Sequence, residues 1–72
     1  MTDTEKLKEA IDKSGVKLDA ILTVTGIKSY ATLRGRINNE TEFTASEISA
    51  IADLLRMTPD QRDAIFFAKD VE

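Results

Sequence analysis

The chain has 72 residues and among them no cysteine and no histidine. That excludes a disulfide framework, a zinc finger, haem ligation by His and a Cys or Ser/His nucleophilic site. Aromatic residues are few, one Tyr and three Phe, and there is a single Pro. The longest uninterrupted apolar run, Ala64 to Ala68, is far short of the roughly 20 residues that cross a bilayer. The amino end shows no signal-peptide stretch. The expectation is a cytoplasmic protein with no membrane contact, no metal, no cofactor and no small-molecule substrate. Two carboxylate pairs, Asp60/Asp63 and Glu40/Glu42, fall at a helix start and in a loop with no perturbing neighbour in sequence. They read as helix-end charge and solvation rather than acid/base chemistry, so the chain is not expected to be an enzyme.

What is present suits one small folded domain over residues 1–72. The composition is 42% hydrophobic and 32% charged, ordinary for a folded chain and too apolar for a disordered tail. A domain this short buries only about 60% of the surface of its unfolded chain, so its core is thin.

The net charge of −3 argues against a polyanionic partner until it is resolved by position. From Lys13 to Asn39 there are five bases (Lys13, Lys17, Lys28, Arg34 and Arg36) against one acid, Asp19. The rest of the chain sets five bases against twelve acids, and no acid at all falls between Ala20 and Asn39. A charge run of this kind is usually a solvated face. A basic middle in an acidic chain can also form a local positive face toward phosphate.

Apolar spacing predicts five helices and no strand, an all-α domain. The first covers Thr4–Ser14, with Leu7, Ala10 and Ile11 inward and Gly15 as a left-handed cap. The second covers about Leu18–Thr25, with Ile21, Leu22 and Leu18 turned inward, and Gly26 closes it. Ser29 caps a third helix over about Tyr30–Asn38, whose inner positions are Leu33 and Ile37. Asn38 and Asn39 end it with residues that tolerate the left-handed region. Phe43 anchors the loop that follows. Thr44-Ala45-Ser46-Glu47 is a capping box that opens a fourth helix to about Leu55. Thr58-Pro59-Asp60-Gln61 repeats that pattern, with Pro at the first helical position of a last helix to about Lys69.

The stretch from Ile21 to Leu33 is a helix, a Gly-containing turn plugged by Ile27 and the start of a second helix. One reading is a helix-turn-helix, whose second helix lies in a DNA major groove. The other is an αα-corner that only builds a core. Ala31, Gly35 and Asn38 fall on the outer face of the third helix, with Thr32 and Arg34 on its flanks. Small residues there allow close approach to a groove floor, and Arg34 can reach a guanine edge. Lys17 and Lys28 stand at the starts of the second and third helices, natural places for phosphate clamps. Tyr30 either stacks in the groove or closes the core beneath Leu33, its angular position favouring the core.

Ser14-Gly15-Val16, Gly26-Ile27 with Ser29, then Leu33 and Ile37-Asn38 resemble in order and spacing the Cro/CI-type phage repressor family. Glu42-Phe43-Thr44-Ala45-Ser46-Glu47-Ile48, Leu54-Leu55 and the run from Met57 to Ala68 are similar to short phage regulators of that kind. The resemblance covers about residues 4 to 68. It implies a five-helix, lambda-repressor-like DNA-binding domain, acting as a homodimer in transcription regulation. By position it implies base contacts from Ser29, Tyr30, Ala31, Arg34 and Gly35. Phosphate contacts are implied for Lys17, Lys28, Arg36, Asn38 and Asn39. The chain departs from the family pattern at Leu18 (usually Gln), Leu22 (usually Ala) and Asn39 (usually Gly), and its turn is one residue longer.

Phe66 and Phe67 are adjacent, so one helix face cannot easily bury both. One is expected in the core and the other in a dimer contact with Ile65 or Val71, or else simply exposed. The expected function is a sequence-specific DNA-binding regulator, repressor-like, of a phage or mobile element, with double-stranded DNA as partner. The alternative is a protein-interaction module on the same fold, an antirepressor or adaptor.

Overall fold

Four of the five helices begin on a side chain that takes up an amide of the first turn, which the helix itself leaves unpaired. In the computed structural model, which describes residues 1–68, the helices are α1 Thr4–Ser14, α2 Leu18–Thr25, α3 Tyr30–Ile37, α4 Ala45–Leu54 and α5 Pro59–Phe66. No strand occurs among the described residues. Asp3 accepts from the Lys6 amide at 3.1 Å and Ser29 from the Thr32 amide at 3.2 Å. Both expected capping boxes form. Thr44 accepts from the Glu47 amide while the Glu47 carboxylate accepts from the Thr44 amide at 3.0 Å, and Thr58 and Gln61 repeat the exchange. α2 is the exception: Lys17 holds its cap position without a side-chain hydrogen bond.

The helix ends explain where the chain turns. Gly15 and Gly26 close α1 and α2 in the left-handed region, at φ of 73° and 77°. Thr25 secures the second of these turns. Its hydroxyl donates to the Ile21 carbonyl at 2.7 Å and accepts from the Ile27 amide at 3.2 Å. Asn39 and Arg56 take the same conformation without being glycine, at φ of 64° and 55°. Each completes a Schellman motif. Behind α3 the Asn39 amide donates to Arg36 and the Glu40 amide to Gly35; behind α4 the Arg56 amide donates to Asp53 and the Met57 amide to Ala52. Asn38 and Leu55 are caps rather than helical residues, and Thr44 is the cap before α4. α5 stops at Phe66, with Phe67 outside the helix, earlier than the expected end near Lys69. Lys69 and Val71 lie outside the described residues.

α1 to α4 each contribute one fully buried side chain, Leu7, Ile21, Leu33 and Ile51. Ile27, Ile37, Phe43, Ile48, Ile65 and Phe66 complete the core, and α2 packs most extensively on α4. Phe43 and Phe66 meet edge to face, their ring centroids 5.4 Å apart. Ile27 and Phe43, both in loops, are buried as expected. Leu18 and Leu22 lie half-buried against the core, so the larger side chains at these positions fill space between helices. Among the described residues no helix is long and apolar enough to cross a membrane.

Candidate nucleic-acid interface

Burying Leu33 and Ile37 fixes the rotation of α3 and so decides what it shows to solvent. Ala31, Arg34 and Asn38 are exposed, and with them Ser29 and Thr32 at the start of the helix. Tyr30 is exposed as well, at 42%, so the expectation that it closes the core is corrected. It lies in the first turn, beyond the apolar residues of the turn before it. The Ser29 hydroxyl is engaged in capping: it accepts from the Thr32 amide and donates to the Thr32 hydroxyl at 3.0 Å. This fixes the start of α3 and spends much of what Ser29 could offer a base.

The opposite flank of α3 is not open, and three expected contacts are corrected on that account. Gly35 is half-buried, and a Cβ placed on it would lie 3.9 Å from Glu40 Cβ and from Thr41 Oγ1. The Gly35 carbonyl accepts from the Glu40 and Thr41 amides, so its backbone anchors the turn after α3, while 3.9 Å is an ordinary contact and the turn does not itself require glycine there. Arg36 lies against α4. Its Nε is 3.1 Å from Glu47 Oε1, with only 21% and 11% of the two side chains exposed. That contact is one of charge rather than an aligned hydrogen bond, while another guanidinium nitrogen donates to the Glu42 carbonyl at 2.9 Å. Held in this way, Arg36 has no free charge for a phosphate. Asn39 is bound to Thr2: its carboxamide oxygen accepts from the Thr2 amide and its nitrogen donates to the Thr2 carbonyl. It ties the end of α3 to the amino-terminal residues, a structural role in place of the expected phosphate contact.

Lys17 at the α2 cap, Lys28 in the turn and Arg34 on α3 are exposed. Among the described residues none of the three makes an ion pair; the pairs that form are Lys13–Glu9, Arg36–Glu47 and Arg62–Asp63. Arg34 and Asn38 edge a groove of about 500 Å³ between α1 and α3, with Ile11, Val16, Leu18 and Ile37 on its apolar walls. Lys8 and Asp12 of α1 edge the same groove. Helical spacing leaves Lys8 outside the apolar stripe of Leu7, Ala10 and Ile11, and nothing in that spacing shows that α1 runs beside Arg34.

The expected dimer residues divide. Phe66, at 3% exposed, is the one of the adjacent pair that enters the core, as expected, while Ile65, at 7%, is buried within its own chain, which corrects its assignment to a partner contact. Phe67 is 58% exposed and, with Met1 and Thr2, lines a small cleft of about 150 Å³ above Phe43 and Phe66. Among the described residues no group of three or more acidic side chains is placed to hold a metal. In comparison with known proteins, no family model, no curated protein and no solved structure matches the chain.

Proposed function

We propose that the chain is a sequence-specific DNA-binding regulator of transcription, repressor-like, belonging to a phage or mobile element and working in the cytoplasm as a homodimer. α3 enters the major groove of a duplex, while Lys17 and Lys28 hold phosphates on either side of it. The observation that carries this reading is the composition of the exposed surface around α3. It holds Ala31, Arg34, Lys17 and Lys28, none of the three bases is paired among the described residues, and no acid lies between Ala20 and Asn39. Against a net charge of −3, the bases are concentrated along the sequence, five between Lys13 and Asn39 against the single acid Asp19, although Asp12 of α1 edges the same groove as Arg34. Few basic groups per chain imply weak binding by one protomer, and two copies on a near-palindromic site supply the rest.

A gel-shift on the promoter of the element that carries the gene tests the reading. Arg34→Ala weakens the shift tenfold or more, whereas Lys6→Ala, on an exposed position of α1, leaves it unchanged. An identical shift in both variants contradicts the proposal.

The second reading, a protein-interaction module such as an antirepressor or adaptor, draws on the apolar groove between α1 and α3. It predicts no retarded duplex at all.

A further inference from the structure

Resting on the DNA-binding reading, we infer the chemistry of the half-site: α3 recognises thymine methyl groups around a single guanine. The inference comes from what the exposed part of α3 offers and what it lacks. Between Ser29 and Arg36 there is no carboxylate and no carboxamide. A cytosine amino group therefore finds no acceptor of the Asp/Glu kind, and an adenine finds no Asn or Gln for its paired donor and acceptor. Asn38 lies at the other end of α3, as its C-cap, and Asn39 is bound to Thr2. Arg36, the second guanidinium of the helix, is held by Glu47 and the Glu42 carbonyl, which leaves Arg34 as the one long donor facing outward.

Arg34 thus supplies one bidentate contact to guanine O6 and N7. Beside the capping pair Ser29 and Thr32, the remaining exposed groups at the start of α3 are the Ala31 methyl and the Tyr30 ring with its hydroxyl. Their complement in a major groove is the C5-methyl of thymine, the one apolar group on any base edge there. The Thr32 hydroxyl accepts from Ser29 and keeps its own O–H, so Thr32 offers a methyl together with one donor.

Selection of bound duplexes from a random pool by the full chain, followed by chemical editing of the enriched duplex, tests this. Replacing thymine by uracil removes only the methyl group and keeps the pairing edge. It is expected to weaken binding about fourfold for each buried methyl. Replacing the conserved guanine by 7-deazaguanine is expected to weaken wild-type binding tenfold or more, and Arg34→Ala binding by less than twofold. Ala31→Gly is expected to lower the thymine-to-uracil affinity ratio. That ratio is read on one protein sample, so a loss of folding cancels from it. An enriched duplex that binds equally well with uracil, or whose consensus contains no G·C pair, overturns the inference and leaves the DNA-binding reading standing. A pool from which nothing is enriched overturns both.

Discussion

The Asn39 carboxamide pairs with both backbone groups of Thr2, accepting from its amide at 2.8 Å and donating to its carbonyl. Through this pair the C-terminal turn of α3 is tied to the segment preceding α1. The Asp3 amide, one residue on, donates to the Ile65 carbonyl at the end of α5, and the Thr4 hydroxyl donates to the Ile37 carbonyl. The amino-terminal residues thus link α3 to α5. Asn39 and Arg56 share a left-handed conformation, which costs a non-glycine residue about 1–2 kcal/mol. Arg56 is exposed and its side chain makes no hydrogen bond or ion pair among the described residues, so Arg56→Gly is expected to stabilise the domain by about 0.5–1 kcal/mol, after the entropy cost of glycine. Asn39→Gly gains less relief, since Asn tolerates this region, and loses three hydrogen bonds of about 1 kcal/mol each, two to Thr2 and one to the Thr4 hydroxyl, for a net destabilisation of about 2 kcal/mol. Urea melts of the two variants check the opposite signs.

Arg36 and Glu47 form the electrostatic link between α3 and α4, and Glu47 also closes the α4 capping box. Removing either partner strands the other in a mostly buried position. With part of each side chain still reached by water, Arg36→Ala is expected to cost about 2 kcal/mol rather than the 3–5 of a fully buried pair. Its affinity for DNA per folded molecule is expected to stay within twofold of wild type. A tenfold loss, measured where the variant is fully folded, would return Arg36 to the phosphate contacts.

Phe66 and Phe67 separate stability from association. Phe66→Ala empties a core position against Phe43 and is expected to cost about 3–5 kcal/mol, enough to unfold much of a domain this small. Phe67→Ala is expected to alter stability by less than about 0.5 kcal/mol. If the homodimer forms through the exposed Phe67, that variant shifts sedimentation toward monomer with little change in melting temperature. A wild-type sedimentation profile for Phe67→Ala places the dimer contact elsewhere.

Much of this fold was legible in the sequence. The starts of α3, α4 and α5 are announced by Ser29, Thr44 and Thr58 at the cap, those of α1 and α2 only by apolar spacing, and every expected start agrees within one residue with the structure. Ile27 and Phe43 were readable as buried because an apolar residue in a short polar loop has few other places to go. The site was legible only on the side that faces away from the rest of the molecule. Arg34 and Ala31 were placed on the exposed face of α3 by helical angle alone, and the structure has both exposed. The surroundings of Arg36, Gly35 and Asn39 were not legible, because their neighbours Glu47, Glu40 and Thr2 are brought to them by α4, by the turn after α3 and by the amino-terminal segment. Helical periodicity carries no information about contacts made by neighbouring loops. Tyr30 failed for a related reason: its angle points toward the core, but it stands in the first turn, above the last apolar layer.

Salt dependence offers a numerical check on the phosphate contacts. With Lys17 and Lys28 as the charged phosphate contacts, log K against log salt is expected to fall with a slope of about −1.8 per protomer. Lys17→Ala reduces the magnitude by about 0.9 per protomer and weakens all duplexes to a similar degree. A slope unchanged by Lys17→Ala removes that residue from the interface.

The most direct test is a titration of the labelled protein with its selected duplex, followed amide by amide by NMR. Shifts concentrated at Lys17, Lys28 and the run from Ser29 to Arg34, with the amides of Glu9, Asp53 and Asp60 unmoved, are the predicted result. Shifts confined to α1, α4 or α5, with Ala31 and Arg34 silent, would contradict it.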